Sequence, residues 1–174
     1  MSSENEARRD WFDWAGPFLA DWKVREANWN KSFSLRAGQA LELATQAALS
    51  LKHDAVGAEH LLAGMLKLNS GPAPAALRRA GLTLPLLREA IESAWGLSGQ
   101  NNVKRPIPYT PRCKRIIQRA QAKIGGSGDA RIEVEDLLLE LLAENDGLPA
   151  QIFRRQAINV EEIKNAVTTK APEQ

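Results

Sequence analysis

Apolar residues recur along this chain at intervals of three and four, and no segment alternates with period two over any length. Leu41, Ala44, Ala48 and Leu51 mark one helical face. Leu61, Leu62, Met65 and Leu66 mark a second, and Leu137, Leu138, Leu141 and Leu142 repeat it further on. The pattern predicts an all-α protein without a sheet. Start signals agree with it. Ser34 and Thr110 stand where N-caps belong, and Pro111 takes the first helical position, where a missing N–H costs nothing. Gly71 and Gly147 read as left-handed C-caps of the Leu-rich helices. Thr83 and Asn159 precede a fourth helix in each half, and Asn159 to Glu162 fits a capping box with Glu162 reaching back.

The two halves are copies. Shifting the chain by 109 − 33 = 76 positions lays residues 33–91 on 109–167 without a gap. Eleven of the 59 pairs are identical, among them Arg36/Arg112, Glu59/Glu135, Gly71/Gly147 and Arg78/Arg154, where chance gives about four. The organisation expected is a helical arm over 1–32, repeat one over 33–95, a polar linker over 96–108, repeat two over 109–168 and a tail over 169–174. One copy buries too little surface alone. Together they make a single domain of about eight helices around a pseudo-twofold axis.

Composition narrows the setting. The 174 residues are 44% hydrophobic and 25% charged, with a net charge of +2, as in a water-soluble globular protein. A single cysteine, Cys113, excludes an internal disulfide and fits a reducing, cytoplasmic location. No apolar run approaches a membrane span, and the polar start is not a secretory signal. Four of the five tryptophans crowd the arm. Trp11, Trp14, Phe18, Trp22 and Trp29 form one helical stripe, interrupted by Gly16-Pro17. Such a stripe either folds back on the repeats, which is the first choice for the isolated chain, or anchors a partner protein. The arm's five basic and six acidic residues argue against a membrane-surface helix.

Little points to catalysis. There is no G-x-x-x-x-G-K-[ST] phosphate loop, and "GGSGD" from Gly125 lacks the lysine. His53 and His60 have no companions at metal-ligand spacing and read as surface or capping residues; no metal and no cofactor are expected. Cys113 reads as packing. The chain is expected not to be an enzyme. Between Ser93 and Gly128 there are seven basic residues and no acidic one; Arg112, Arg115, Arg119 and Lys123 share a helix face. That face either binds phosphate or nucleic acid, or pairs with acids elsewhere in the fold. The second is preferred, because no aromatics interleave with the charges.

"FSLRAGQAL" with "VGAEHLLAGML", and "YTPRCKRII" with "VEDLLLELL", resemble the double repeat of the Clp N-terminal domain, which precedes the ATPase modules of the AAA+ unfoldases ClpA, ClpB and ClpC. The likeness covers residues 33 to about 168, and the domain is expected to stand alone, without that module. It implies an all-α, non-catalytic module that recognises protein substrates or serves a Clp-type unfoldase or protease as adaptor. It also implies two phosphoarginine pockets. In each, the cap hydroxyl meets the phosphate and the glutamate meets the guanidinium, pairing Ser34 with Glu59 and Thr110 with Glu135. This chain departs from the family where Ala58 and Val134 replace a threonine, Glu133 a glycine and Asp136 a histidine. The alternatives are a nucleic-acid or phosphate binder using the basic face, and a structural subunit of a larger assembly.

Overall fold

The computed structural model describes residues 32–96, 107–125 and 130–169; the arm, with Trp11, Trp14, Phe18, Trp22 and Trp29, lies outside them. Repeat one supplies α1 (Leu35–Ser50), α2 (Ala58–Lys67), α3 (Pro72–Arg79) and α4 (Leu84–Trp95). Repeat two supplies α5 (Pro111–Ile124), α6 (Val134–Leu142), α7 (Leu148–Arg155) and α8 (Val160–Thr168). Among the described residues the only β-type pairing is two isolated bridges.

The caps follow local chemistry. The Ser34 and Thr110 hydroxyls accept from the N–H groups of Ala37 and Cys113, at 3.1 and 3.2 Å. Thr83 and Asn159 cap α4 and α8 in the same way, although Glu162 offers only its N–H and the reciprocal bond is not made. Gly71 and Gly147 do not end the Leu-rich helices as expected. α2 stops at Lys67, and the two glycines, at φ +115° and +90°, open α3 and α7 instead. The reason is tertiary. A Cβ on Gly71 would lie 2.5 Å from Cζ of Arg36, and one on Gly147 3.1 Å from Cζ of Arg112. Each arginine therefore packs against its glycine in the space a side chain would fill.

Both Leu-rich helices are central. Leu61, Leu62, Met65 and Leu66 of α2 and Leu137, Leu138, Leu141 and Leu142 of α6 are buried in one continuous core. The contacts between repeats come in matched sets: α2 on α5 with α6 on α1, α2 on α7 with α6 on α3, and α4 on α7 with α8 on α3. That matching is the pseudo-twofold symmetry in physical form. Within the repeats the helix packing departs from symmetry at Gly64. Gly64 lets α2 meet α1 backbone to backbone; a Cβ there would collide with the Ala40 carbonyl and sit 2.7 Å from the Ala44 nitrogen. Its mate at 64 + 76 = 140 is a buried glutamate. The α1–α2 contact is accordingly much more extensive than α5–α6.

Candidate functional site

The repeats are stitched at two equivalent junctions. At one, the Ser34 N–H donates to the Ile132 carbonyl at 3.0 Å and the Ile132 N–H donates to the Ser32 carbonyl at 2.6 Å. At the other, the Thr110 N–H donates to the Val56 carbonyl at 2.9 Å and the Val56 N–H donates to the Pro108 carbonyl at 2.8 Å. These bonds satisfy backbone groups just before helices that would otherwise lie buried without partners.

The junctions correct the pairing expected from the sequence. α1 and α2 run antiparallel, with Gly64 against Ala40 and Ala44 and Gly71 against Arg36. Ser34 and Glu59 therefore sit at opposite ends of one hairpin, and the same holds for Thr110 and Glu135. Across the junctions, Ser34 bonds the residue three before Glu135, and Thr110 bonds the residue three before Glu59. Each cap residue is thus tied by backbone bonds to the segment that leads into the glutamate helix of the other copy.

The two glutamates then differ. Glu135 crosses to repeat one, where its Oε1 accepts from the Ala73 N–H at 3.1 Å, in the first turn of α3. The equivalent donor for Glu59 would be residue 73 + 76 = 149, which is proline and has no N–H. Glu59 instead folds over Gly57, where a Cβ would lie 2.7 Å from its carboxyl carbon. Burial pushes its pKa up, against the opposing pull of its own backbone, His53 and Arg112. Burial also pushes the neighbouring Cys113 thiol up to about 12, with the Glu59 charge adding to the effect, so the thiol keeps its proton.

The histidines are not at the surface. The Gly57 N–H donates to His60 Nδ1 at 2.9 Å, His60 Nε2 meets His53 Nδ1 at 2.9 Å, and His53 Nε2 meets the Gly96 carbonyl at 3.1 Å. Because Nδ1 of His60 accepts, its Nε2 carries the proton and donates to His53, which in turn donates to Gly96. Burial, then His53, pulls His60 down to about 4, so the His60 ring stays neutral at neutral pH. In repeat two Asp136 takes the same capping position, accepting from the Glu133 N–H at 2.8 Å. Among the described residues no group of three or more His, Cys, Asp or Glu could hold a metal ion.

The basic face is largely committed to internal pairs. Arg112 donates to Glu144 at 2.9 Å and to the Asp146 carboxylate, Arg119 pairs with Glu140 and Glu144, and Lys123 pairs with Glu140. Arg115 is exposed. The sequence reading passed over Arg36 and Arg112 as partners of Gly71 and Gly147, although both pairs stand among the repeat identities and carried the signal.

Comparison with known proteins places this geometry. The model of the Clp repeat (R) N-terminal domain matches residues 32–156. The ClpC/MecB negative regulator of genetic competence of Bacillus subtilis is 31% identical over 135 residues, which cover 78% of this chain and 16% of the relative. Chloroplastic ClpC of Pisum sativum is 32% identical over 135 residues, 78% of this chain and 14% of the relative. The ClpB chaperone of Oceanobacillus iheyensis is 29% identical, with 78% and 16% covered. The chain thus spans about a sixth of the length of these curated relatives. Among solved structures, the N-terminal domain of the caseinolytic protease associated chaperone ClpD of Arabidopsis thaliana superposes with a TM-score of 0.65 at 25% identity, covering 79% of this chain and 95% of that one. The Hsp104 N-terminal domain of Candida albicans shares the fold, with a TM-score of 0.63 at 17% identity, covering 79% and 90%.

Proposed function

This chain belongs to the Clp repeat N-terminal domain family, and on that premise we propose that it is a non-catalytic protein-binding module. In this reading it recognises protein segments for a Clp-type AAA+ unfoldase or protease, or serves such a machine as adaptor or accessory subunit. The observation that carries the reading is the family match over residues 32–156. The pairing of Arg112, Arg119 and Lys123 with Glu140, Glu144 and Asp146 supports it over nucleic-acid binding, since those cations are already neutralised. The sequence carries no phosphate loop of the kind a P-loop ATPase uses.

Phosphoarginine, the ligand implied by the family resemblance, fits the Thr110–Glu59 junction better than the Ser34–Glu135 one. Glu135 is engaged by the Ala73 N–H, whereas among the described residues Glu59 bonds nothing on the facing repeat, which leaves its carboxylate for a guanidinium. Affinity purification of the tagged chain from its source cells is expected to enrich a Clp-type ATPase or protease subunit. Nucleic acid in the eluate without such a subunit would reverse the reading. Titration calorimetry with phosphoarginine tests the site. Heat from wild type that Glu59→Ala abolishes and Glu135→Ala largely retains supports the assignment, and no heat at millimolar ligand removes it.

A further inference from the structure

Repeat two shows how an arginine on this scaffold is satisfied. Arg112, lying over Gly147, donates to Glu144 and forks onto both carboxylate oxygens of Asp146. Subtracting 76 gives the same place in repeat one. The arginine and glycine remain, as Arg36 and Gly71, with the guanidinium again packed against the glycine. Both acids are gone: 144 − 76 = 68 is leucine and 146 − 76 = 70 is serine. Arg119, which fills the surface beside them in repeat two, becomes Leu43. Among the described residues no carboxylate lies within ion-pair distance of Arg36. A groove of about 670 Å³ opens there, with Leu43 and Leu68 in its lining and Gln39 and Asn69 as polar groups along it. Its charges are Arg36, Lys67 and one acid, Glu42.

We propose that this groove is a docking site for an acidic segment of a partner protein. An aspartate or glutamate of the partner takes on Arg36 the position that Asp146 takes on Arg112. An adjoining apolar side chain packs on Leu43 and Leu68, and Gln39 and Asn69 bond the segment's backbone. Charge complementarity selects this occupant: two cations outnumber one acid, and a guanidinium with no acid beside it among the described residues is open to the charge-assisted bonds that a carboxylate offers. The size fits a few side chains of an extended peptide. The inference rests on the protein-binding reading above and names the chemistry of the partner at a second surface, apart from the junctions.

Fluorescence anisotropy with the full chain tests it. The probe is a labelled peptide with the sequence of residues 141–149, which contains Glu144 and Asp146; the control carries Gln and Asn at those two places. Saturable binding of the acidic peptide is expected, at least tenfold tighter than the control and weaker at high salt. Arg36→Gln should lose at least tenfold. Ser70→Asp, which gives repeat one the acid that Asp146 supplies in repeat two, should block binding while circular dichroism stays helical. Equal affinity for both peptides, no change with Arg36→Gln, or no saturation below millimolar peptide overturns the assignment. Enrichment of a Clp-type subunit alongside a failed peptide titration leaves the module reading standing and removes only the groove; Arg36-dependent peptide binding with no such enrichment does the reverse.

Discussion

Glu135 caps the first turn of α3 by accepting the Ala73 N–H from the opposite repeat, and its copy Glu59 cannot do the same because Pro149 stands at the matching place. Gly57 gives the stranded Glu59 room to fold back, whereas Glu133 occupies that space in repeat two. The two halves thus share a fold and divide the duties of one residue.

Stability should divide in the same way. Glu135→Ala removes a charged cap and is expected to cost about 1 kcal/mol. Glu59→Gln removes a desolvated carboxylate whose pKa is raised, and should be neutral or slightly stabilising at pH 7. Urea unfolding of the two variants checks the order, which a larger loss for Glu59→Gln would contradict.

Two glycines in repeat one offer a sharper contrast. Gly64→Ala drives a methyl group into the α1 backbone and should cost about 3 kcal/mol or prevent folding. Gly38, exposed in α1 with nothing within 4 Å of an added Cβ, should gain up to about 1 kcal/mol on change to alanine. Melting temperatures moving in the same direction would mean that the α1–α2 contact is looser than it stands here.

The histidine chain makes the fold acid-sensitive. The unfolded ring takes up its proton near pH 6.5, and the folded one only near 4. The unfolded state therefore binds more protons in that window. The contribution of neutral His60 is complete above pH 6.5 and shrinks as pH falls, by about 1.4 kcal/mol per pH unit and on the order of 3 kcal/mol by pH 4. Glu59 works in the opposite sense: its raised pKa means that protonation relieves a buried charge, which offsets part of the loss at the acid end. Urea midpoints measured from pH 7.5 to 4.5 should fall for wild type and flatten in His60→Asn, whose amide oxygen can still accept from Gly57. Parallel curves would rule out His60 as the source.

Glu140 is buried while its partners are not: Arg119 is 40% and Lys123 70% exposed. Glu140→Met removes the buried charge and leaves cations that water can solvate, so its effect should stay within about 1 kcal/mol. Arg119→Met leaves the buried carboxylate with Lys123 alone and should cost about 2 kcal/mol, reduced from the fully buried case by solvent screening. Chemical denaturation ranks the pair, and a costlier Glu140→Met would refute this account.

Much of the molecule was legible before any coordinates. The apolar spacing of Leu61, Leu62, Met65 and Leu66 marked a buried helix, and Ser34, Thr83, Thr110 and Asn159 marked where helices begin. These features depend on residues about four positions apart, and the duplication made each visible twice. The position of Gly71 was misread because a left-handed glycine serves equally to leave one helix or to enter the next.

The sequence by itself determined an all-α duplicated domain, the helix starts after Ser34, Thr83, Thr110 and Asn159, and the family to which it belongs, because periodicity, capping and repetition are local or self-similar properties. Only the tertiary structure decided which cap residue is joined to which glutamate helix. A shift of 76 residues maps Ser34 onto Thr110 and Glu59 onto Glu135 whether the partners lie within a repeat or across the axis, so the identities are the same in both arrangements. The choice came from packing: antiparallel α1 and α2 carry the two ends of each copy apart, and the backbone bonds of Ser34 to Ile132 and Thr110 to Val56 bring the opposite copies together.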